Sequence, residues 1–157
     1  MEDWRTNQEL LVMNGRIKVP YEWAAGEVGS RYLCSLRDEK KILGTACPNC
    51  KIVYHIPRRN CPDCLEECTK WVELGNTGSL VSYTVVRRYH PTLAPLPLPY
   101  GYGVIKLDGA DTGFLHLLYE FEEGQLSAGM KVEAVFAEER DAQILDVKYF
   151  RPTGEVK

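Results

Sequence analysis

The stretch CPNCKIVYHIPRRNCPDC (residues 47–64) holds two Cys-x-x-Cys pairs, Cys47/Cys50 and Cys61/Cys64, separated by ten residues. When the intervening residues form a short ribbon, the two pairs approach and four thiolates converge at tetrahedral geometry. That donor set suits zinc. The turn after each pair aims backbone N–H groups at sulfur and so eases the clustered negative charge. Four unrelated buried cysteines would not repeat the same spacing. Cys47, Cys50, Cys61 and Cys64 are therefore the expected metal ligands. Iron accepts the same four thiolates and would make the site an electron carrier. Zinc is preferred because no other redox motif accompanies the cage. A dithiol oxidoreductase would need only one pair, placed at a helix start after a strand.

Three further residues near the cage compete for roles. Cys68 lies close enough in sequence to replace Cys64, though at the cost of the knuckle symmetry. Cys34 falls on a predicted helix beside an apolar face and reads as a small buried hydrophobe. His55, between Tyr54 and Ile56, reads as a packing residue.

Outward from the cage, residues 1–29 show little periodicity and carry Gly15, Pro20, Gly26 and Gly29, which describes an irregular arm. Its large aromatics, Trp4, Tyr21 and Trp23, are expected to dock on this chain's core or on a partner. SRYLCSLRDEKKILG (residues 30–44) predicts a helix with Ser30 as N-cap, Leu33 and Leu36 on one face, and Gly44 as its stop. Beyond Gly75 the period changes to two. SLVSYTVVRRY places Val81, Tyr83 and Val85 on one face, and HPTLAPLPLPY must be a loop or polyproline segment. GYGVIKLD, TGFLHLLYEF, KVEAVFAE and AQILDVKYF complete a set of five strands with no helix between them. Five strands joined by short turns predict a small closed barrel, most simply an OB-fold.

The fold class is thus mainly β: an N-terminal helical arm (1–43), a zinc ribbon (44–74) and a C-terminal five-stranded OB-fold barrel (75–157). The chain has 157 residues, 45% of them hydrophobic and 26% charged, which fits one domain or two small modules sharing a core. A net charge of −3 argues against nucleic acid and anionic membranes as partners. Around the cage Lys51, Arg58, Arg59 and Lys70 are balanced by Asp63, Glu66 and Glu67, so no basic stripe is present. The single-stranded nucleic-acid reading rests only on the barrel type. No apolar run reaches membrane-spanning length, and the first twenty residues lack the features of a secretory signal, so a cytoplasmic location is expected.

No nucleophile–base motif or phosphate-binding glycine loop occurs. His55, His90 and His116 are scattered, and His116, alternating with Leu115 and Leu117, is expected at the solvent or the barrel mouth. A metal held by four cysteines has no open position for water, so it would not act as a Lewis acid. On the residues alone the chain is a metal-stapled binding module without its own catalytic constellation.

The order of features resembles a known family over roughly residues 20–152. A helix runs into CPNC, IPRRNCPDC follows where the family favours Pro-Pro-Arg, and then come LGNTGSLVSYTVV, PYGYGVIKLD and LSAGMKVEAVF. These resemble the thiolase-associated, or acyl-CoA-associated, proteins that join a rubredoxin-like zinc ribbon to an OB-fold, long catalogued as a domain of unknown function. Ile56 departs from the first proline of Pro-Pro-Arg, and Lys51 stands where glycine often follows the first knuckle. The opening PYEWAAGEVGSRYLCSLRD is most similar to the small subunits of benzoylsuccinyl-CoA thiolases of anaerobic toluene degradation. The resemblance implies a non-catalytic subunit in a hetero-oligomer with a thiolase-like large subunit, helping to complete or order an acyl-CoA site. Arg58 and Arg59 are the candidate contacts to coenzyme A phosphates or to the partner, with a carboxylate in the ribbon as the equal alternative.

Overall fold

The computed structural model describes residues 19–88, 96–122 and 124–154. Helix α1 (Gly26–Cys34) runs into a π-helical turn (Ser35–Glu39). Eight strands follow among the described residues: β1 (Ile42–Ala46), β2 (Val53–Tyr54), β3 (Lys70–Leu74), β4 (Thr77–Val86), β5 (Tyr100–Leu107), β6 (Gly113–Leu118), β7 (Lys131–Phe136) and β8 (Val147–Pro152). The first three form an antiparallel sheet in the order β2-β1-β3, and the other five close a barrel in the order β4-β5-β6-β8-β7. The fold is mainly β, with one short helix, a four-cysteine ribbon and a five-stranded OB-fold barrel, as the patterning predicts.

Barrel closure rests on β7 pairing with β4 (Thr77↔Glu133, Gly78↔Val132) and on a single parallel pair, Leu118↔Phe150, between β6 and β8. A bulge between Leu80 and Ser82 breaks the alternation of β4. Leu80 is fully buried, whereas Val81 and Tyr83 open to solvent. The barrel interior holds Leu80, Ile105, Leu107, Leu118, Val132 and Phe150, and the same apolar cluster takes in Tyr32, Leu36, Ile42 and Leu74 from the helix and ribbon sheet. Full burial of each such aliphatic or aromatic side chain contributes about 1.5–3 kcal/mol, so this shared core is the main reason that the helix stays on the barrel.

Three local expectations are corrected. The helix starts four residues before Ser30 and has no side-chain cap, with Glu27 in its first turn. It also stops early. Lys40 turns left-handed (φ 55°) and its N–H closes on the Ser35 carbonyl, while the Ser35 hydroxyl donates to the carbonyls of Tyr32 and Lys41. Ile42 and Gly44 are then free to pair with Leu74 and Val72 in β1. Gly44 is therefore no helix stop. A Cβ there would lie 2.8 Å from the Tyr54 carbonyl oxygen, so glycine permits the close passage of β2. In the last segment, AQIL is not strand: Ala142 is left-handed, Ile144–Asp146 form a 3₁₀ turn, and the buried Asp146 carboxylate accepts the N–H groups of Asp141 and Gln143. Trp4, Gly15, His90 and most of the proline-rich loop lie outside the described residues.

Gly78 is the second glycine required by close approach. A Cβ at this position would stand 2.6 Å from the Lys106 carbonyl oxygen and 2.9 Å from Leu107 Cα, both of them backbone atoms of β5. Gly78→Ala is expected to destabilise the barrel by about 1–3 kcal/mol through overpacking, seen as a lower urea midpoint at unchanged slope.

Candidate metal centre

The two knuckles are built alike. After Cys47, the Lys51 N–H donates to the Cys47 carbonyl (3.1 Å) and the Cys47 N–H to the Ile52 carbonyl (2.9 Å). After Cys61, the Leu65 N–H donates to the Cys61 carbonyl (3.0 Å) and the Cys61 N–H to the Glu66 carbonyl (2.9 Å). Lys51 and Leu65 occupy the same place in each turn and both are left-handed, at φ 63°. Such a backbone favours glycine, which explains why the departure at Lys51 is tolerated at modest strain without loss of a ligand.

All four expected ligand atoms come together: the sulfurs of Cys47, Cys50, Cys61 and Cys64 lie within 4.8 Å of one another. The Cys47–Cys64 sulfur separation is 3.5 Å and the Cys50–Cys61 separation 3.8 Å. A tetrahedral centre with metal–sulfur bonds of ~2.3 Å sets its sulfurs about 3.8 Å apart, so the donor set fits a four-thiolate metal ion. The Cys50 N–H points at Cys47 Sγ at 3.3 Å. Electrostatics favour the same conclusion. Hydrogen bonds from the Tyr54 hydroxyl and from the Cys64 and Asp63 backbone pull the Cys61 thiol down to about 6. Hydrogen bonding to Cys64, burial and the other thiols push Cys50 up. Without a cation the cluster cannot ionise completely; with one it can.

Cys68 is buried with Cys47, Tyr54 and Cys61, but it stands outside the set of four, its N–H held by the Arg59 carbonyl at 2.7 Å. Burial, followed by the neighbouring thiols, raises its pKa, so it is a protonated thiol lining the cage. Cys34 is only half-buried, on the helix side facing Arg37.

The ribbon is clamped to the barrel through β2. Val53 N–H donates to the Asp111 carboxylate (2.8 Å), and Asp111 N–H returns to the Val53 carbonyl (2.9 Å). His55 N–H donates to Thr112 Oγ1 (2.9 Å), whose hydroxyl donates to the His55 carbonyl (2.8 Å). His55, at 3% exposure, meets the Tyr32 hydroxyl through Nε2 at 2.9 Å and stacks edge-on against Phe114. Its packing role is as expected. His116 is not: it is buried against Phe114 and Phe150, and its Nδ1 accepts the Leu117 N–H. The strand alternation that should expose His116 instead points it inward, where two phenyl rings enclose it. Sequence reasoning also missed Tyr54, Asp111 and Thr112, because a two-residue strand leaves no periodic signal.

Arg58 has its backbone pinned to the buried Thr45 hydroxyl in both directions, at 2.9 and 3.0 Å, while its guanidinium lies over the Tyr54 ring. It borders a cleft of about 330 Å³ with His55, Ile56 and Phe114. Arg59 meets Glu67 at 3.6 Å on the open surface. Tyr21 and Trp23 do not dock on this chain's core; they stand 76% and 73% exposed. A second apolar patch, Leu115, Ile144 and Leu145, lies open on the outer side of β6.

Residues 71–137 match the family described as the ChsH2 C-terminal OB-fold domain. That span runs from β3 to β7, and the barrel as a whole is an OB-fold. Among solved structures the chain resembles one described as an Ltp2-ChsH2(DUF35) aldolase, with a TM-score of 0.62 and 22% identity over 83% of this chain and 98% of that one. It also resembles a DUF35-family protein of unknown function from Sulfolobus solfataricus, with a TM-score of 0.60 and 20% identity over 81% of this chain and 84% of that one. At these identities the likeness is one of fold. Comparison with curated proteins gives no match. No helix among the described residues is long and apolar enough to cross a membrane.

Two outcomes follow from this geometry. Cys47→Ser or Cys61→Ser is expected to abolish metal binding and unfold the ribbon, because metal binding here is folding energy; metal analysis and circular dichroism read both. If either variant keeps full metal content, the ligand set is wrong. The second concerns acid. Burial, with the neighbouring His116, holds His55 down to about 4 from an ordinary 6.5. The unfolded chain therefore takes up this proton first, and stability falls as pH drops from about 6.5 toward 4, by roughly 3 kcal/mol in total. His55→Gln keeps a partner for Tyr32 and should flatten that slope in urea titrations across this range.

Proposed function

We propose that this chain is a non-catalytic, zinc-containing accessory subunit of an enzyme that cleaves carbon–carbon bonds in acyl-CoA substrates, with a thiolase-like large subunit as its partner. The observation that carries this reading is a four-cysteine cluster joined to an OB-fold barrel, with residues 71–137 similar to the ChsH2 C-terminal OB-fold domain. The cage offers a metal no vacant position, so its role is to hold the ribbon rather than to activate water. Among the described residues the two histidines are engaged in packing, with Tyr32 and the Leu117 N–H as partners, and no nucleophile is paired with either. Chemistry must then come from the partner. The exposed Tyr21 and Trp23 supply apolar docking surface. Arg58, rigid in its backbone and open at its guanidinium, is suited to a coenzyme A phosphate or a partner carboxylate; Arg59, with Glu67 beside it, is the weaker candidate. Benzoylsuccinyl-CoA is the substrate that the resemblance of residues 20–38 favours.

A second reading, an accessory subunit of an aldolase, is favoured by the structural likeness to the aldolase complex. The two differ in stoichiometry: thiolysis consumes one coenzyme A thiol for each bond cleaved, whereas retro-aldol cleavage consumes none. Co-expression with a thiolase-like large subunit, followed by size exclusion, is expected to give a stable complex. The chain alone should show no thiolysis of a β-ketoacyl-CoA. Activity in the isolated chain, or failure to co-elute, overturns the reading. Metal analysis of the complex should find zinc and no visible absorption; a red protein would favour the iron carrier. Arg58→Ala with Arg59→Ala should keep the metal yet weaken the partner's Kd or the apparent affinity for coenzyme A about ten-fold, as expected for one lost charge-assisted hydrogen bond of ~1.5 kcal/mol.

A further inference from the structure

The ribbon contains one side chain that reaches the cage without belonging to it. Tyr54 is 4% exposed, and its hydroxyl lies 3.2 Å from Cys61 Sγ. The other acceptor near it is the Asp63 carboxylate, at 3.4 Å. A metal-bound Cys61 is a thiolate and has no proton to give, so in the loaded protein the hydrogen of any Tyr54–Cys61 bond comes from the phenol. We infer that Tyr54 is a positioning residue of the metal centre, donating its O–H to the Cys61 thiolate and tying the cage to the ribbon–barrel clamp.

The clamp gives this bond its reach. Tyr54 is the middle residue of the segment 53–55, and both of its neighbours are fastened to the barrel turn at Asp111 and Thr112 by backbone hydrogen bonds. On the other side, Tyr54 pairs with Thr45 in β1, and the Thr45 hydroxyl holds the Arg58 backbone. A metal ion that fixes Cys61 therefore fixes the phenol, and the phenol sits on a strand that cannot move without loosening the barrel contact. Donors to metal-bound sulfur withdraw electron density from it and set its orientation, and losing such a partner commonly lowers metal affinity 10–100-fold.

This inference rests on the proposed four-thiolate site, and cobalt(II) separates the two. Cobalt(II) loaded into the full-length chain should give sulfur-to-cobalt charge-transfer bands of a tetrahedral thiolate site; their absence overturns the site and the inference with it. With the bands present, Tyr54→Phe keeps the ring and its packing but removes the donor. The bands should move to longer wavelength, because an unbonded thiolate gives up its electron more readily, and chelator competition should show affinity lowered at least ten-fold. Asp63→Ala, at a surface position, supplies the reciprocal measurement. If the phenol serves Cys61, this variant leaves the bands in place. If the phenol serves Asp63 instead, Tyr54→Phe leaves the bands and the affinity unchanged while Asp63→Ala moves the bands, and the inference fails.

Discussion

Four cysteine sulfurs within 4.8 Å of one another impose the constraint on which the ribbon depends. Bare thiolates at that distance repel; hydrogen bonding to Cys64 and burial hold Cys50 toward its neutral form, while the Tyr54 hydroxyl draws Cys61 toward its charged one. A divalent cation reconciles the four. Little else would hold this module, since the cluster around the cage consists of Cys47, Tyr54, Cys61 and Cys68, with few apolar side chains packed against it. A metal held by these four sulfurs would take the place that a hydrophobic core has in the barrel.

The two halves of the molecule are joined by different physics. Apolar burial unites Tyr32, Leu36, Ile42 and Leu74 with the barrel interior, a non-directional attraction that brings the helix and the ribbon sheet onto the barrel. The hydrogen bonds between residues 53–55 and 111–112 are directional, and they fix where the ribbon sits. Buried polar groups meet their partners nearly everywhere at this junction. His55 Nδ1 is the buried side-chain atom without one among the described residues, and burial keeps that ring neutral.

In the proposed accessory role the chain contributes by presenting rigid surfaces. The Thr45 hydroxyl pins the backbone that carries Arg58, and the barrel displays Leu115, Ile144 and Leu145 on its outer side. Tyr21 and Trp23 extend from the start of the helix without covering any part of the chain's own core. Rings of this size in solvent are costly, and a partner surface is the economical place for them.

By itself the sequence determined the elements whose signals are local or periodic: the doubled Cys-x-x-Cys spacing, the five strand runs that close the barrel, and, among the described residues, the absence of an α-helix between them. Tertiary structure decided what depends on neighbours distant in the chain. Gly44 reads as a helix stop until β2 is seen passing 2.8 Å from where its Cβ would be. His116 reads as a strand residue at the solvent or the barrel mouth until Phe114 and Phe150 are seen to enclose it. Tyr54 carries no motif at all, because a hydrogen bond to Cys61 seven residues away exists only after both knuckles have folded around one point. Spacing along a chain encodes local turns and faces; which side chains meet across the fold is set by packing, and that is resolved only when the whole molecule closes.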